Sequence, residues 1–133
     1  MSRILLDTSA LSAFLRGHRA IVDATRTADR IAVTPVVLGE LGAGFLRGSH
    51  LERNRELLRD FLRSPRVRTL GIDEETGQRY AQIHHSLRRA GTPIPTNDIW
   101  IAASAMQFGL VVVATDQHYA CVPQIATLLH PPG

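Results

Sequence analysis

The fold class this sequence predicts is α/β: a three-layer α/β/α sandwich around a central, mostly parallel sheet. Two short apolar runs, "RILLD" at Arg3 to Asp7 and "LVVVATD" at Leu110 to Asp116, have the unbroken hydrophobicity of strands buried on both faces. Between them, strand-like runs alternate with segments of helical period, the pattern of successive βαβ units. Both apolar runs also end in an acid, and parallel α/β sheets gather ligands outside the carboxyl ends of their strands.

The elements follow in order. After the first strand, "TSALSAFLRG" sets Leu11, Phe14 and Leu15 on one side at helical spacing, and Gly17 closes that helix. "RAIVDATRTADR" reads as a second, amphipathic helix, followed by "IAVT" as a short strand. Thr34 followed by Pro35 pairs an N-cap with proline at the first helical position, predicting helix from Val36 to Leu46. "HLERNRELLRDFLRSP" turns Leu51, Leu58, Phe61 and Leu62 inward and its Arg and Glu residues outward, until Pro65 stops it.

"VRTLGI" is the third strand. Asp73 then caps "DEETGQRYAQIHHSLRRAG", whose acidic first turn and basic last turn match the helix dipole before Gly91 ends it. The two prolines of "TPIPTND" enforce an extended connection, and "DIWIAASAMQFG" is a helix with small residues for close packing, leading into the last apolar run. The chain has no internal repeat, low-complexity tract or linker.

At 133 residues the chain suits one compact domain, residues 1–133, able to bury a core without disulfide or metal staples. Its single cysteine, Cys121, rules out an internal disulfide framework and any multi-cysteine metal site. A reducing compartment fits, so the cytoplasm is expected. No stretch approaches the roughly twenty unbroken apolar residues of a membrane span, and "MSRILLDTSA" lacks the length and cleavage site of a signal peptide. All fifteen basic residues are arginine, which suits bidentate phosphate recognition. With a net charge of only +3, however, compositional bias is the larger cause, and charge alone does not argue for nucleic-acid binding.

Asp7 and Asp116, at the ends of apolar runs, are expected to be neighbours. Asp98, in the first turn of the helix before the last run, opens onto the same edge. Glu40 sits in the otherwise apolar "VTPVVLGELGAG", where a buried carboxylate without a partner is costly. About one and a half turns into its helix, it can project over that edge while Val36, Val37 and Leu41 pack beneath. Four converging acids raise one another's pKa unless a cation neutralises them, and hard oxygen donors select Mg²⁺ or Mn²⁺. Each acid also has a plainer reading: Asp7 and Asp98 as helix N-caps, Asp116 as a turn residue, Glu40 as a solvent-facing helical residue. The coincidence of all four favours a site.

Four segments together, "LLDTSAL", "ELGAGF", "NDIWIAASA" and "ATDQHY", resemble the PIN-domain family, and within it the VapC-type toxins of bacterial toxin–antitoxin pairs. The resemblance covers nearly the whole chain, in order and at the usual spacing. It implies a parallel-stranded α/β/α fold and a metal-dependent ribonuclease whose cluster of Asp7, Glu40, Asp98 and Asp116 binds Mg²⁺ or Mn²⁺. A small antitoxin that enters the cleft with an apolar helix and a competing Arg is implied as well, as is a homodimer. One departure lies in the last motif: relatives often carry Thr or Ser two positions before the acid, where this chain has Ala114, with Thr115 adjacent.

On this reading Asp7 and Asp98 are the main metal ligands, Asp116 completes the shell, and Glu40 holds or deprotonates the attacking water. Thr8 and Ser9 follow the first acid at a helix start, where they can contact phosphate or orient Asp7, although capping is the favoured role. Asn97 is read as a cap. Thr115 is a turn hydroxyl or a contact to RNA. His118, two residues past Asp116, is placed for a supporting contact, and Arg16 is the preferred phosphate contact. His84 and His85 are read as surface or interface residues. Arg53, Arg55, Arg59 and Arg63 interleave with Glu52, Glu56 and Asp60 and read as a solvated face.

Two alternatives stand beside the nuclease. An acid after the first strand also serves aspartyl-phosphate chemistry, but that class wants a second Asp where this chain has Ser9, and a Lys that it lacks. A non-catalytic RNA- or protein-binding module on the same fold is the other, and retention of all four acids speaks against it.

Overall fold

The computed structural model describes residues 2–133. Five strands, β1 (Arg3–Leu6), β2 (Arg30–Val33), β3 (Val67–Thr69), β4 (Val111–Ala114) and β5 (Thr127–Leu129), form one sheet in the order β3-β2-β1-β4-β5. Every pairing is parallel, with Leu5 beside both Ala32 and Val112. The three central strands are buried after their first residue, which is why they read as apolar runs without alternation.

Among the described residues six α-helices accompany the sheet: α1 (Thr8–Leu15), α2 (Arg19–Thr27), α3 (Pro35–Arg47), α4 (Leu51–Leu62), α5 (Glu74–Ala90) and α6 (Thr96–Phe108). The strand order determines their sides. From β1 the chain steps outward to β2 and then β3, so right-handed crossovers put α1 to α4 on one face. It then returns across the sheet to β4, carrying α5 and α6 to the other face. The direction reverses between β1 and β4, and a crevice opens outside the carboxyl ends of such a strand pair.

Local signals set the helix ends as expected. Thr34 accepts a hydrogen bond from the Val37 N–H with Pro35 at the first helical position, and helix α3 runs to Arg47. Asp73 and Thr76 form a reciprocal capping box at α5, and Gly91 ends that helix with φ +72°, a left-handed conformation that favours glycine. The core joins Leu5, Leu6 and Val113 of the sheet to Leu11, Ile21, Val37, Ile83 and Ile101 of the helices. Of the residues expected to face inward on α4, Phe61 is buried, while Leu51, Leu58 and Leu62 are half-buried.

The sequence reading missed β5. At three residues, two of them exposed, this edge strand carries almost no hydrophobic pattern and is defined by its pairing to β4. Among the described residues no helix is long and apolar enough to cross a membrane.

Candidate active site

The crevice between β1 and β4 is where the acids meet. Asp7 directly follows β1 and is only 3% exposed. It N-caps α1: its Oδ1 accepts from the Ala10 N–H at 2.7 Å and from the Ser9 hydroxyl at 2.6 Å. Burial pushes the Asp7 carboxyl up to about 6, the hydrogen bonds from Ser9 and Ala10 pull against that rise, and the nearby charge of Asp98 adds to it. A cap in water has no such burden. Capping therefore explains the position of Asp7 but not its burial beside another acid.

Asp98 lies in the first turn of α6. Burial raises its pKa, the hydrogen bond from His118 opposes the rise, and the charge of Asp116 reinforces it. Its two oxygens face different groups: Oδ1 accepts from the Tyr119 hydroxyl at 3.3 Å, and Oδ2 is 2.7 Å from His118 Nδ1. The same nitrogen is 2.9 Å from Asp116 Oδ1, so one imidazole spans two carboxylates. Asp116 also accepts from the His118 N–H at 2.8 Å, which caps the short 3-10 helix Gln117–Cys121. Tyr119 is fully buried. Burial, then the charges of Asp7 and Asp98, hold its pKa far above the ordinary phenol value, so it remains a hydrogen-bond donor to the acids.

Glu40 stands at the rim on α3. Its Oε1 accepts from the Thr8 hydroxyl at 2.5 Å and its Oε2 from the Asn97 side-chain amide at 3.2 Å. Thr8 neighbours Asp7 and Asn97 neighbours Asp98, so both contacts tie Glu40 to the other acids. Val37 and Leu41 are buried beneath it and Val36 packs against the core, which answers why a carboxylate sits in that apolar segment. A cleft of about 370 Å³ opens beside it, lined by Thr8, Arg16 and Glu40 and by the apolar Leu15, Leu41 and Phe45.

Similarity to known proteins identifies the family of this fold. The family model for the PIN domain matches residues 4–124, a span that contains all four acids. The chain belongs to the PIN-domain family. Over 113 residues it is 35% identical to ribonuclease VapC4 of Mycobacterium tuberculosis, covering 80% of this chain and 87% of that protein. Ribonuclease VapC5 of the same organism is 29% identical over 124 residues, covering 93% of this chain and 90% of its relative. Among solved structures, the fold is similar to that of DNA-bound VapBC from Salmonella typhimurium, with a TM-score of 0.83 and 27% identity over 96% of this chain and 98% of that one. VapBC2 from Rickettsia felis, bound to a promoter DNA fragment, has a TM-score of 0.82 at 21% identity, covering 94% of this chain and 96% of that one.

Within this PIN domain several polar side chains have other partners than the sequence predicts. Thr8 and Ser9 are not caps, because Asp7 takes that role; the Thr8 hydroxyl turns to Glu40, while the Ser9 hydroxyl orients Asp7, the alternative the sequence also offered. Asn97 is not a cap either. Pro95 occupies the N-cap of α6, which leaves the Asn97 amide free to reach Glu40. Thr115 joins the site through its backbone, donating its N–H to Ser9 Oγ at 3.0 Å and so linking the end of β4 to the start of α1.

His84 and His85 are exposed on α5, and the arginines of α4 form exposed pairs such as Arg55 with Glu52 and Arg63 with Asp60, as a solvated face should. Tyr119 was missed as a site residue. Its signal was slight: an aromatic in a polar segment just after a strand-terminal acid.

The donor set suits a divalent cation. One ligand atom each from Asp98, Asp116 and His118 lie within 4.8 Å of one another. Asp7 borders this group with a carboxyl whose ionised form lacks a positive partner. Two carboxylates and an imidazole, with a third carboxyl beside them, are donors that a divalent cation takes.

Proposed function

We propose that this chain is an endoribonuclease, the toxin of a toxin–antitoxin pair, hydrolysing RNA phosphodiester bonds at Asp7, Glu40, Asp98 and Asp116 with Mg²⁺ or Mn²⁺. The observation that carries the reading is the desolvated Asp7, raised to about 6, beside Asp98 and Asp116 at the β1–β4 crevice of a PIN domain. Similarity to proteins named ribonuclease VapC supports it.

Asp7, Asp98 and Asp116 would hold the cation, with Asp7 held in place by Ser9 and Ala10 and Asp98 by Tyr119. Such an ion, when bound, would supply positive charge against the charge building on the phosphoryl oxygens and acidity for water. Glu40, held at both oxygens by Thr8 and Asn97, orients the attacking water and accepts its proton. Arg16, on the cleft wall with Thr8 and Glu40, meets the RNA backbone with a guanidinium suited to bidentate phosphate contact. Buried Tyr119 keeps its proton and the orientation of Asp98 throughout.

The partner is a small antitoxin whose apolar helix covers the half-buried Leu15 and Phe45 and whose Arg reaches the acids; solved VapBC complexes of similar fold support this. A homodimer acting in the cytoplasm, each copy a single domain over residues 1–133, completes the proposal. Phosphotransfer through Asp7 fits less well, since the chain carries Ser9 where a second Asp is wanted and has no lysine.

The test is cleavage of total cellular RNA by purified, partner-free protein with Mg²⁺, with Mn²⁺ and with chelator, beside Asp98→Asn. Metal-dependent cuts that vanish in the variant are expected. A folded, partner-free sample that cuts nothing under any condition would refute the nuclease and favour a binding module.

A further inference from the structure

We infer that His118 is itself a ligand of the cation, through Nδ1, so that this site joins an imidazole to the carboxylates of Asp98 and Asp116 and prefers Mn²⁺ over Mg²⁺. The inference rests on the metal-dependent reading above and goes beyond it in assigning a nitrogen donor to a site otherwise made of carboxylates.

Spacing carries the argument. Two ligands about 2.1 Å from one ion and at right angles to each other stand about 3 Å apart. His118 Nδ1 is 2.7 Å from Asp98 Oδ2 and 2.9 Å from Asp116 Oδ1, close to that separation on both sides. A divalent ion can therefore replace the hydrogen-bonded contacts with a small outward movement of the ring. The exposed imidazole has room for that movement.

The supporting structure holds the ring to this task. The His118 N–H is tied to Asp116 Oδ1, which fixes the step between the two donors. The next residue, Tyr119, is buried and anchors the 3-10 helix while its hydroxyl occupies Asp98 Oδ1, leaving Oδ2 to face the imidazole. Asp7 is buried and Glu40 is held at the rim by Thr8 and Asn97, so the accessible side of the cluster, with one ligand atom from each residue within 4.8 Å of the others, is furnished by Asp98, Asp116 and His118. Mg²⁺ is small, gives up its waters reluctantly and demands a near-ideal octahedron of oxygens, so a nitrogen donor costs it more than it costs the larger Mn²⁺. The nitrogen thus gives Mn²⁺ an advantage that a purely carboxylate site would not.

Pulsed electron paramagnetic resonance on the full chain, loaded with substoichiometric Mn²⁺ and no other metal, reads this directly. Nitrogen modulation from a coordinated imidazole is expected in the wild type and should vanish in His118→Ala, whose exposed position spares the fold. Labelling the wild type with ¹⁵N-histidine should change the modulation to the ¹⁵N pattern, which tests the donor without any substitution. In titrations His118→Ala should lose at least about tenfold in Mn²⁺ affinity, the loss that even an outer-shell partner can cause, with a smaller change for Mg²⁺. Mn²⁺ bound at a site abolished by Asp98→Asn but showing no nitrogen coupling, or coupling that persists in His118→Ala, overturns the assignment and leaves the nuclease reading standing. No Mn²⁺ binding at all overturns the assignment, and RNA cleavage with Mg²⁺ then decides separately whether the nuclease reading stands.

Discussion

Asp7→Asn tests the electrostatics of the acid cluster without any appeal to catalysis. In the folded chain burial lifts the Asp7 carboxyl from an ordinary 3.8 to about 6. Between those values the folded state keeps a proton that the unfolded state has released, so stability falls as pH rises through the interval. The penalty is small below pH 3.8, just over half developed at pH 5 and almost complete by pH 8. At 1.36 kcal/mol per pH unit it amounts to about 3 kcal/mol.

Asp98, raised for the same main reason, acts in the same direction. Asparagine retains an acceptor for Ser9 and Ala10 and removes the charge, at the cost of an amide that needs its own acceptor. In chelator, urea denaturation should show Asp7→Asn more stable than wild type by about 1–3 kcal/mol at pH 8, with the excess reduced by roughly half at pH 5. Saturating Mg²⁺ or Mn²⁺ should close the gap by stabilising only the wild type. A variant no more stable than wild type at pH 8, or an excess identical at the two pH values, would show that Asp7 carries no buried-charge penalty and sink the reasoning.

Two further outcomes follow from the same structure. Glu40→Gln should lower RNA cleavage by about 10²- to 10⁴-fold, the usual worth of a positioned base, while unfolding shifts by no more than about 0.5 kcal/mol; activity within a factor of a few of wild type would remove Glu40 from the chemistry. Leu5→Ala, at a position with no exposure between β2 and β4, should cost about 3–5 kcal/mol in urea denaturation, and a loss below about 1 kcal/mol would contradict the packing described for the sheet.

What the sequence by itself determined was everything governed by short range. Burial on both faces made β1 and β4 legible as apolar runs, and Thr34–Pro35, Asp73 and Gly91 marked helix ends because caps act within a turn. The acids after those two strands could be placed at one edge because a parallel sheet brings strand ends together. Only the tertiary structure decided which polar groups serve them. The contact between Asn97 and Glu40 joins residues 57 apart and exists because α3 and α6 meet over the crevice. Freed from capping by Pro95, the Asn97 amide takes the partner that packing presents, as Thr8 and Ser9 do once Asp7 has claimed the end of α1. The bridging ring of His118, the buried hydroxyl of Tyr119 and the pairing of β5 have the same origin. Each depends on a neighbour distant in sequence, which local propensity and periodicity do not encode.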